Sequence, residues 1–555
     1  MIYMKASSSI RSLSLVCALA ALYGVLSAFV PKADPSQKPK LIVGIVVDQM
    51  RQEYLLRYYN QFGEGGFKRL MNEGFMARNA HYNYIPTYTG PGHASVYTGA
   101  TPAMHGIIAN DWYSRDLKRT VYCAEDTMVS AVGGSEKAGR ISPRNLLSTT
   151  ITDQLKMATQ GRGKVIGISI KDRGSALPAG HRADAAYWYD GRSGEMMTST
   201  FYMNELPAWV KKFNDQKLPE KYLSQTWNTL LPIESYTASG ADASEYEVLF
   251  PGKEASSFPY NLKEINKNQG GYGLLSTTPF GNTLVLDFAR EAMEAEQLGQ
   301  DEITDFLAVS FSSTDYIGHA FGAQSKELED TYIRLDRELA KFFNMLDQQV
   351  GEGEYLVFLT ADHAVVDVPK LLVDAKMPGG YLEISKIGNI INEELKEKYG
   401  EGQWIEHASS QIILNHDLIK AQDIELEAMQ DFVADRLLDF KGIKEAYTAA
   451  TMRTEEFTRG QRQLLQLGYN FQRSGDILFI TEPGYLNSSR YQGTSHGTGY
   501  NYDTHVPMLF YGWGIRPGSS VKYQSVTDIV PTLSMLLNIA LPDGATGQPV
   551  EEVFE

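Results

Sequence analysis

The stretch LIVGIVVD, from Leu41 to Asp48, decides the predicted fold. Leu41 to Val47 is an uninterrupted apolar run rich in β-branched side chains, which is typical of a strand buried on both faces of a parallel sheet. Asp48 follows this run directly, so the strand would deliver a carboxylate to one edge of the sheet. We therefore predict a buried parallel sheet with a polar group at the carboxyl end of its first strand.

Three later runs have the same form, and each leads to a polar residue. They are Val165 to Ile170 before Lys171, Phe306 to Phe311 before Asp315, and Tyr355 to Leu359 before Asp362. Helical patterns lie at Thr283 to Leu298, Glu327 to Val350 and Asp528 to Leu537. This alternation predicts an α/β fold, a doubly wound and mostly parallel sheet in which ligands bind at the carboxyl ends of the strands.

Two stretches fit the alternation less well and are predicted to be inserted cap subdomains. The first, about 181–280, is rich in Tyr, Trp, Ser and Asn, and the second, about 364–492, contains an amphipathic segment from Asp423 to Phe440. Long connections of this kind commonly border a functional site. We therefore expect one catalytic domain, 41–555, with both insertions beside its active edge.

The amino terminus has the pattern of an export signal. Lys5 and Arg11 precede an uncharged stretch from Ser12 to Val30, which predicts a bacterial signal peptide over 1–28, a polar linker over 29–40 and a periplasmic or secreted protein. An uncleaved membrane anchor is the alternative, because the stretch approaches the length that spans a bilayer. After cleavage we expect no stable membrane span, and the oligomeric state stays open.

Composition narrows the possible functions. The 555 residues include 51 Lys and Arg against 67 Asp and Glu, a net charge of −16, which argues against a dedicated nucleic-acid-binding protein. An anionic substrate would therefore need a local positive site. The two cysteines, Cys17 and Cys123, are too few for a disulfide scaffold or a cysteine-based zinc site.

Metal-ligating residue types cluster near the predicted strand ends. The set contains three aspartates and three histidines: Asp48, Asp315, His319, Asp362, His363 and His496. Taken singly, each has an ordinary alternative as a helix cap, a turn residue or a solvated side chain. Together they are enough for two three-coordinate Zn²⁺ sites with open positions.

A nucleophile candidate lies in TYTGPGHASVYTG. Thr89 precedes Pro91, a preferred first-turn residue, and the predicted helix runs to about Thr98 with Gly99 after it. The free N–H groups and positive dipole end of a helix amino terminus favour a bound phosphate and an ionised hydroxyl. The alternative is that Thr89 is simply an N-cap.

The arrangement resembles the alkaline phosphatase superfamily and, within it, the PafA-type phosphatases with a threonine nucleophile. The motifs that carry the resemblance are VVDQM, TYTGPGHASVYTG, HGIIANDWY, ISIKDRGS, STDYIGHAFG, TADHAVV, TSHGTGY and the terminal DIVPTLSMLLNIALPDGATGQPV. They occur in the family's order and span most of the chain. One departure is Ala364, where the family commonly has glycine.

The resemblance implies a role for each site residue. Asp315, His319 and His496 would hold one zinc ion, while Asp48, Asp362 and His363 would hold the other together with the Thr89 oxygen. The phosphoryl oxygens would be bound by Asn110, Lys171 and Arg173. The implied activity is hydrolysis of small-molecule phosphate monoesters through a phosphothreonine intermediate. Six ligands are then assigned, so His93 and His105 are interpreted as supporting or packing residues.

Other functions remain open at this point. A phosphodiesterase or nucleotide pyrophosphatase of the same superfamily would share the metals, Thr89 and Asn110, but Lys171 and Arg173 favour a dianionic monoester. A sulfatase would need Cys or Ser in a C/S-x-P-x-R setting, and TGPGH lacks both the nucleophile and the Arg. A non-catalytic exported metal-binding protein is a further alternative.

Overall fold

The computed structural model describes residues 38–267 and 270–554. The predicted signal segment 1–28, the alternative anchor and most of the linker lie outside the described residues. Among the residues described, no helix combines the length and the apolar character that crossing a bilayer requires.

The described residues form strands throughout the chain. The strands are β1 Leu41–Val47, β2 Phe75–His81, β3 Asp111–Ser114, β4 Arg119–Tyr122, β5 Ala131–Val132, β6 Val165–Ser169, β7 Ala185–Asp190, β8 Glu195–Ser199, β9 Thr226–Trp227, β10 Tyr260–Asn261, β11 Asp305–Phe311, β12 Tyr355–Thr360, β13 Gly380–Leu382, β14 Ile405–Ala408, β15 Ile412–Leu414, β16 Ile443–Thr448, β17 Ile477–Thr481, β18 Tyr485–Asn487, β19 His505–Val506, β20 Met508–Gly512 and β21 Gly518–Ser525.

Helices separate most of these strands. The α-helices are α1 Tyr54–Arg57, α2 Phe67–Glu73, α3 Thr89–Thr98, α4 Pro102–His105, α5 Ile151–Ala158, α6 Arg173–Ala179, α7 Ala208–Asp215, α8 Leu218–Leu223, α9 Leu262–Lys267, α10 Phe280–Glu296, α11 Ser313–Phe321, α12 Lys326–Leu346, α13 Pro369–Asp374, α14 Ile384–Tyr399, α15 His416–Ala421, α16 Leu426–Leu437, α17 Ala449–Thr454, α18 Gly460–Leu467, α19 Asn501–Thr504 and α20 Ile529–Leu537.

A large central sheet organises the described chain. Its strand order is β19-β2-β20-β12-β1-β11-β6-β7-β8-β5, with β21 paired to β2. The neighbours from β12 to β7 are parallel, whereas β20 and β8 pair antiparallel at either side of this centre. The carboxyl ends of β12, β1, β11 and β6 therefore meet at one edge.

Both faces of this sheet are covered. Along β1, Leu41, Val43, Ile45 and Val47 pack into one hydrophobic core with α10 and α12. The alternate residues Ile42 and Val46 pack into a second core with α3, α5 and α20. Because successive side chains of a strand point to opposite faces, one run of apolar residues supplies both cores. The predicted doubly wound α/β fold is confirmed.

The predicted elements match the structure closely. The buried runs that were predicted to be strands are β1, β6, β11 and β12, and the three helical patterns correspond to α10, α12 and α20. The predicted helix after Thr89 is α3, which ends at Thr98, and Gly99 follows with φ of 67°. That left-handed conformation favours glycine, as expected for the residue that terminates a helix.

The regions predicted as insertions differ in how they join the sheet. The range 181–280 begins with β7 and β8, which belong to the central sheet, so the part outside the sheet starts after Ser199. The range 364–492 contains a separate four-stranded sheet, β14-β15-β17-β16. Helices α14 and α16 pack on it and enclose their own hydrophobic core. The insertion boundaries themselves stay predictions.

Candidate functional site

Four strand ends bring the predicted site residues together. Asp48 follows β1, Lys171 follows β6, and Asp362 follows β12, while Asp315 lies in the first turn of α11 after β11. Each of these side chains is at most 5% exposed. We use the term reactive cluster for the residues that meet at this edge: Asp48, Thr89, Lys171, Asp315, His319, Asp362, His363 and His496.

Two compact groups within the cluster have the ligand types of a metal site. One contains Asp48, Asp362 and His363, and the other contains Asp315, His363 and His496. Within each group the candidate ligand atoms lie within 4.8 Å of one another. The first group matches the predicted set. In the second, His363 takes the place that the resemblance gives to His319, although His319 Nε2 is also 3.1 Å from Asp315 Oδ1.

The three histidines of the cluster are oriented by backbone carbonyls. In each ring Nδ1 is the atom that meets the carbonyl oxygen, so in His363 and His496 Nδ1 carries the proton and Nε2 keeps its lone pair, whereas His319 Nε2 is 3.1 Å from Asp315 Oδ1. The pairs are His319 with Thr494 at 2.7 Å, His363 with Ala364 at 3.0 Å, and His496 with Thr87 at 2.6 Å. This arrangement is common among metal-binding histidines, and it leaves the Nε2 atoms of His363 and His496 as candidate ligand atoms.

Protonation states favour neutral imidazoles at two of these positions. Burial lowers the pKa of His363 to about 3. Burial, followed by the nearby His363 and His319, lowers the pKa of His496 as well. His319 differs, because Asp315 overcomes the effect of burial and raises its pKa. A neutral ring is the form that binds a cation, so His363 and His496 are ready to act as ligands.

The carboxylates are crowded and incompletely paired. Burial, then the charges of Asp315 and Asp362, raise the pKa of Asp48, and burial raises the pKa of Asp362 to about 6. Asp48 Oδ1 and Asp362 Oδ2 are buried without a hydrogen-bond partner among the described residues. Buried unpaired carboxylate oxygens are costly unless a cation or a proton compensates them. The donor set therefore fits a divalent metal ion.

Lys171 is the cation closest to these carboxylates. Its Nζ donates to Asp48 Oδ2 at 2.7 Å and to Asp315 Oδ2 at 2.6 Å. Burial opposes its charge, but the two carboxylates outweigh burial and raise the pKa of Lys171. The same charge, together with His319, holds the pKa of Asp315 well below its ordinary value despite burial. When all three carboxyl groups are ionised, as they are when they bind a metal ion, three aspartates against one lysine give the cluster excess negative charge.

Thr89 lies at the entrance of α3 and faces the cluster. It is the first residue of that helix, and Tyr88 occupies the N-cap position without a side-chain capping bond; the alternative that Thr89 is the N-cap is therefore wrong. Thr89 Oγ1 is 3.4 Å from Lys171 Nζ and 3.4 Å from His363 Nε2. A Cβ on Gly92 would lie 2.1 Å from the Asp362 carbonyl oxygen, so glycine there lets the helix approach the cluster.

Asn110 and Arg173 lie on the other side of the helix start. Asn110 Oδ1 accepts the Gly90 N–H at 2.7 Å, which leaves the Asn110 amide hydrogens for another partner. Arg173 Nη1 donates to the Tyr122 hydroxyl at 3.1 Å. Arg173 Nε is buried and has no partner among the described residues. Both side chains thus retain donors that suit an oxyanion.

Sequence reasoning missed Gln49, which connects the carboxylates. Its backbone N–H donates to Asp362 Oδ1 at 3.1 Å, and its side-chain amide donates to Asp315 Oδ1 at 2.6 Å. A Cβ on Gly318 would lie 1.9 Å from Gln49 Oε1, so α11 leaves room for this amide. The only available signal was its position next to Asp48.

Tyr122 is a second missed residue. Its hydroxyl donates to the Asp172 carboxylate and accepts from Arg173. The Tyr122 hydroxyl therefore links the Arg173 guanidinium to the Asp172 carboxylate. Nothing in the sequence connects the end of β4 with Arg173, because the contact is formed only when the β3–β4 hairpin folds over α6.

His93 and His105 lie outside the reactive cluster and form buried hydrogen bonds near it. His93 Nδ1 is 2.9 Å from the Thr89 carbonyl oxygen, and His93 Nε2 is 2.8 Å from Ser310 Oγ. His105 bonds Ser95 and the Ile107 N–H inside the core.

The structure accommodates Ala364 at the position where the family commonly has glycine. Ala364 is fully buried, and its carbonyl oxygen is the partner of His363 Nδ1.

Comparison with known proteins gives consistent matches over most of the chain. Residues 42–506 match the family model described as type I phosphodiesterase / nucleotide pyrophosphatase. Alkaline phosphatase PhoV of Synechococcus elongatus is 47% identical over 93% of this chain and 93% of that protein. Alkaline phosphatase PafA of Elizabethkingia meningoseptica is 45% identical over 96% of this chain and 97% of that protein.

Another relative carries a different name. A protein of Myroides odoratus named calcium-transporting ATPase is 46% identical over 94% of this chain and 95% of its own length. The crystal structure of wild type PafA superimposes with a TM-score of 0.90 at 45% identity, over 93% of this chain and 99% of that chain. The architecture and the sequence therefore point to the same relatives.

Proposed function

The chain belongs to the type I phosphodiesterase / nucleotide pyrophosphatase family, and from that premise we propose that it is an alkaline phosphatase, a phosphate monoester hydrolase. It binds two zinc ions, attacks through Thr89, forms a phosphothreonine and releases inorganic phosphate. The carrying observation is the Thr89 hydroxyl at the start of α3, which faces a buried group of carboxylates and imidazoles in which Asp48 Oδ1 and Asp362 Oδ2 lack hydrogen-bond partners among the described residues.

The named relatives support this reaction class. PafA and PhoV are called alkaline phosphatases and share 45% and 47% of their residues with this chain. The calcium-transporting ATPase name of the third relative also denotes transfer of a terminal phosphoryl group to water. The proposal therefore uses the chemistry that these names share.

Metal ions have a defined place in the proposal. Asp48, Asp362 and His363 would hold one ion, and Asp315, His319 and His496 would hold the other. Bound there, zinc would lower the pKa of a coordinated hydroxyl and neutralise negative charge on the phosphoryl group and the leaving oxygen. The neutral Nε2 atoms and the excess negative charge of the cluster support this assignment.

The nucleophilic step uses Thr89. Its Oγ1 forms a bond to phosphorus as the bond to the leaving oxygen breaks, so the phosphoryl group moves to Thr89 and the alcohol departs with a proton. Lys171 Nζ, 3.4 Å from Thr89 Oγ1, favours the ionised hydroxyl through its positive charge. Water then cleaves the Thr89–phosphorus bond, which releases phosphate and restores the threonine.

Substrate charge explains the preference for a monoester. A monoester dianion offers two charged oxygens beyond the bridging one, and a diester offers fewer. Arg173 has an unpartnered Nε, Asn110 has free amide hydrogens, and Lys171 supplies a point charge. Charge-assisted hydrogen bonds from these groups stabilise the monoester more strongly.

We propose an extracytoplasmic location, periplasmic or secreted, from the predicted signal segment 1–28. The substrates of the proposal are small phosphate monoesters rather than nucleic acids, because the chain is acidic overall. A net charge of this sign does not favour nucleic acid.

One panel experiment tests the function. Zinc-loaded protein is given para-nitrophenyl phosphate, sugar phosphates, ATP and bis-para-nitrophenyl phosphate, and phosphate or nitrophenol release is measured alongside zinc content. We expect two bound zinc ions per chain and much faster hydrolysis of the monoesters. A faster diester reaction would favour the phosphodiesterase alternative, and zinc binding without any hydrolysis would favour a non-catalytic metal-binding protein.

A further inference from the structure

A cavity next to the reactive cluster is not used by the reaction described above. It has a volume of about 130 Å³ and lies between the segment Ile85–Tyr88, the loop 495–499 and strand β17 of the predicted insertion. His496 and Tyr88 both line it. Tyr88 directly precedes Thr89 in the chain, and His496 is a candidate metal ligand, so the cavity adjoins the reactive cluster through these two residues.

The cavity wall combines a group of apolar side chains with polar ones. Ile85, Leu465, Leu478, Phe479 and Ile480 line it. Tyr88 packs edge-on against the His496 ring, with centroids 5.7 Å apart. A Cβ on Gly497 would lie 2.5 Å from the Tyr88 ring, so Tyr88 is held in place by the loop backbone. Apolar and aromatic side chains in a cavity wall suit a flat hydrophobic group.

Two polar atoms in this wall lack partners. Gln461 Oε1 and Thr481 Oγ1 are both buried, and neither has a hydrogen-bond partner among the described residues. Both residues line the cavity. Buried polar atoms are normally satisfied, and unsatisfied ones indicate an unmade hydrogen bond. Gln461 Oε1 can only accept a hydrogen bond, so a donor on a bound molecule that reaches it would satisfy it.

We propose that this cavity binds the leaving group of the substrate, and that the favoured leaving group is an aromatic ring that carries a hydrogen-bond donor. This inference rests on the proposed function. The ring would lie against Phe479 and Tyr88, and its donor would bond Gln461 Oε1. The phosphoryl group would then remain at Thr89, because His496 and Tyr88 connect the cavity to the reactive cluster.

Three matched substrates test the proposal in the zinc-loaded full chain. para-Aminophenyl phosphate has a ring and a donor, para-methylphenyl phosphate has a ring of similar size without a donor, and ethyl phosphate has no ring. The variants are Phe479→Ala, Gln461→Leu and Thr481→Val. Phe471→Ala is the control, since Phe471 is 67% exposed in the same predicted insertion and does not line the cavity.

The expected effects distinguish recognition of the aromatic ring from recognition of its hydrogen-bond donor. Phe479→Ala should lower kcat/KM for both aryl phosphates about three- to tenfold relative to ethyl phosphate, the size of a lost aromatic contact. Gln461→Leu should lower kcat/KM for the amino compound alone by about two- to tenfold, the size of one hydrogen bond. Thr481→Val should have a smaller effect of the same kind, and Phe471→Ala should have none.

Each contrary outcome has one meaning. If the wild-type protein hydrolyses all three substrates but the cavity variants change them equally, the cavity does not bind the leaving group and the inference fails. If no phosphate monoester is hydrolysed, the proposed function fails first. Because Phe479 also packs on the insertion core, the inference is judged on Gln461→Leu if Phe479→Ala does not fold.

Discussion

The reactive cluster and the neighbouring cavity are built in opposite ways. The cluster takes its residues from the ends of β1, β6, β11 and β12 and is dense in charge, with buried carboxylate oxygens that lack partners. The cavity takes much of its wall from β17 and α18, and it is lined by apolar and polar side chains with no aspartate, glutamate, lysine or arginine among the described lining residues. If the two proposals hold, the difference teaches that the sheet fixes the chemistry and that the insertion adds selectivity.

Removing the metal ions from the reactive cluster is the change with the largest expected effect on activity. Chelation should abolish monoester hydrolysis, and zinc should restore it, because the cluster then regains the charge that balances its carboxylates. Since the pKa of Asp362 is raised to about 6, protons should compete with zinc as the pH falls through that value. Zinc content and activity should therefore decline together below about pH 6, and full activity in metal-free protein would contradict the account.

Removing the nucleophile should be nearly as severe. Thr89→Ala should lower kcat/KM by about three orders of magnitude or more, because no other hydroxyl replaces the attacking group. Zinc content should persist, since the aspartates and histidines are unchanged. Thr98→Ser, at the other end of α3, is the control. A Thr89→Ala protein with near-normal turnover would remove Thr89 from the reaction.

The phosphate-binding cations should distinguish monoesters from diesters. Hydrogen bonds to charged groups contribute roughly 1.5–3 kcal/mol each. Lys171→Ala with Arg173→Ala should therefore lower monoester kcat/KM by about two to four orders of magnitude, and diester hydrolysis should fall much less. Rates are compared at matched zinc occupancy, because Lys171 also contacts Asp48 and Asp315. Equal losses on both substrates would assign the pair a general structural role.

A substitution in the hydrophobic core of the insertion should have the smallest effect on turnover. Leu395 is fully buried in the core of the four-stranded sheet. Leu395→Ala should lower the free energy of unfolding by about 2–5 kcal/mol, while kcat/KM of the folded protein stays within about twofold. Denaturant unfolding and kinetics at low temperature measure both quantities. A loss of zinc in this variant would show that the two regions are not separable.

The fold and most of the cluster could be predicted because each signal is local. The run Leu41 to Val47 identifies a buried strand, and Asp48, Lys171 and Asp362 each follow such a run within a few residues. Parallel strands end at one edge, so sequence order alone brings these groups together. The same logic extends to Asp315, one helical turn beyond β11.

The rest depends on contacts that have no local signal. Gln49 is recognisable only once α11 approaches β1 and Gly318 leaves room for its amide. Tyr122 meets Arg173 across a folded hairpin. Strands β7 and β8 belong to the central sheet, although their aromatic, polar sequence suggested a cap, because side-chain composition does not report strand pairing. The orphan atoms of Gln461 and Thr481 likewise appear only when the insertion packs on the loop 495–499.

The most direct test of the central claim is to trap the phosphorylated enzyme. Zinc-loaded protein is mixed with a monoester, quenched in acid within milliseconds to seconds, digested, and examined by mass spectrometry for phosphorylated peptides. The account predicts phosphate on Thr89, at an occupancy that rises and falls with turnover and is absent from Thr89→Ala. Phosphate on another residue during active turnover would contradict it.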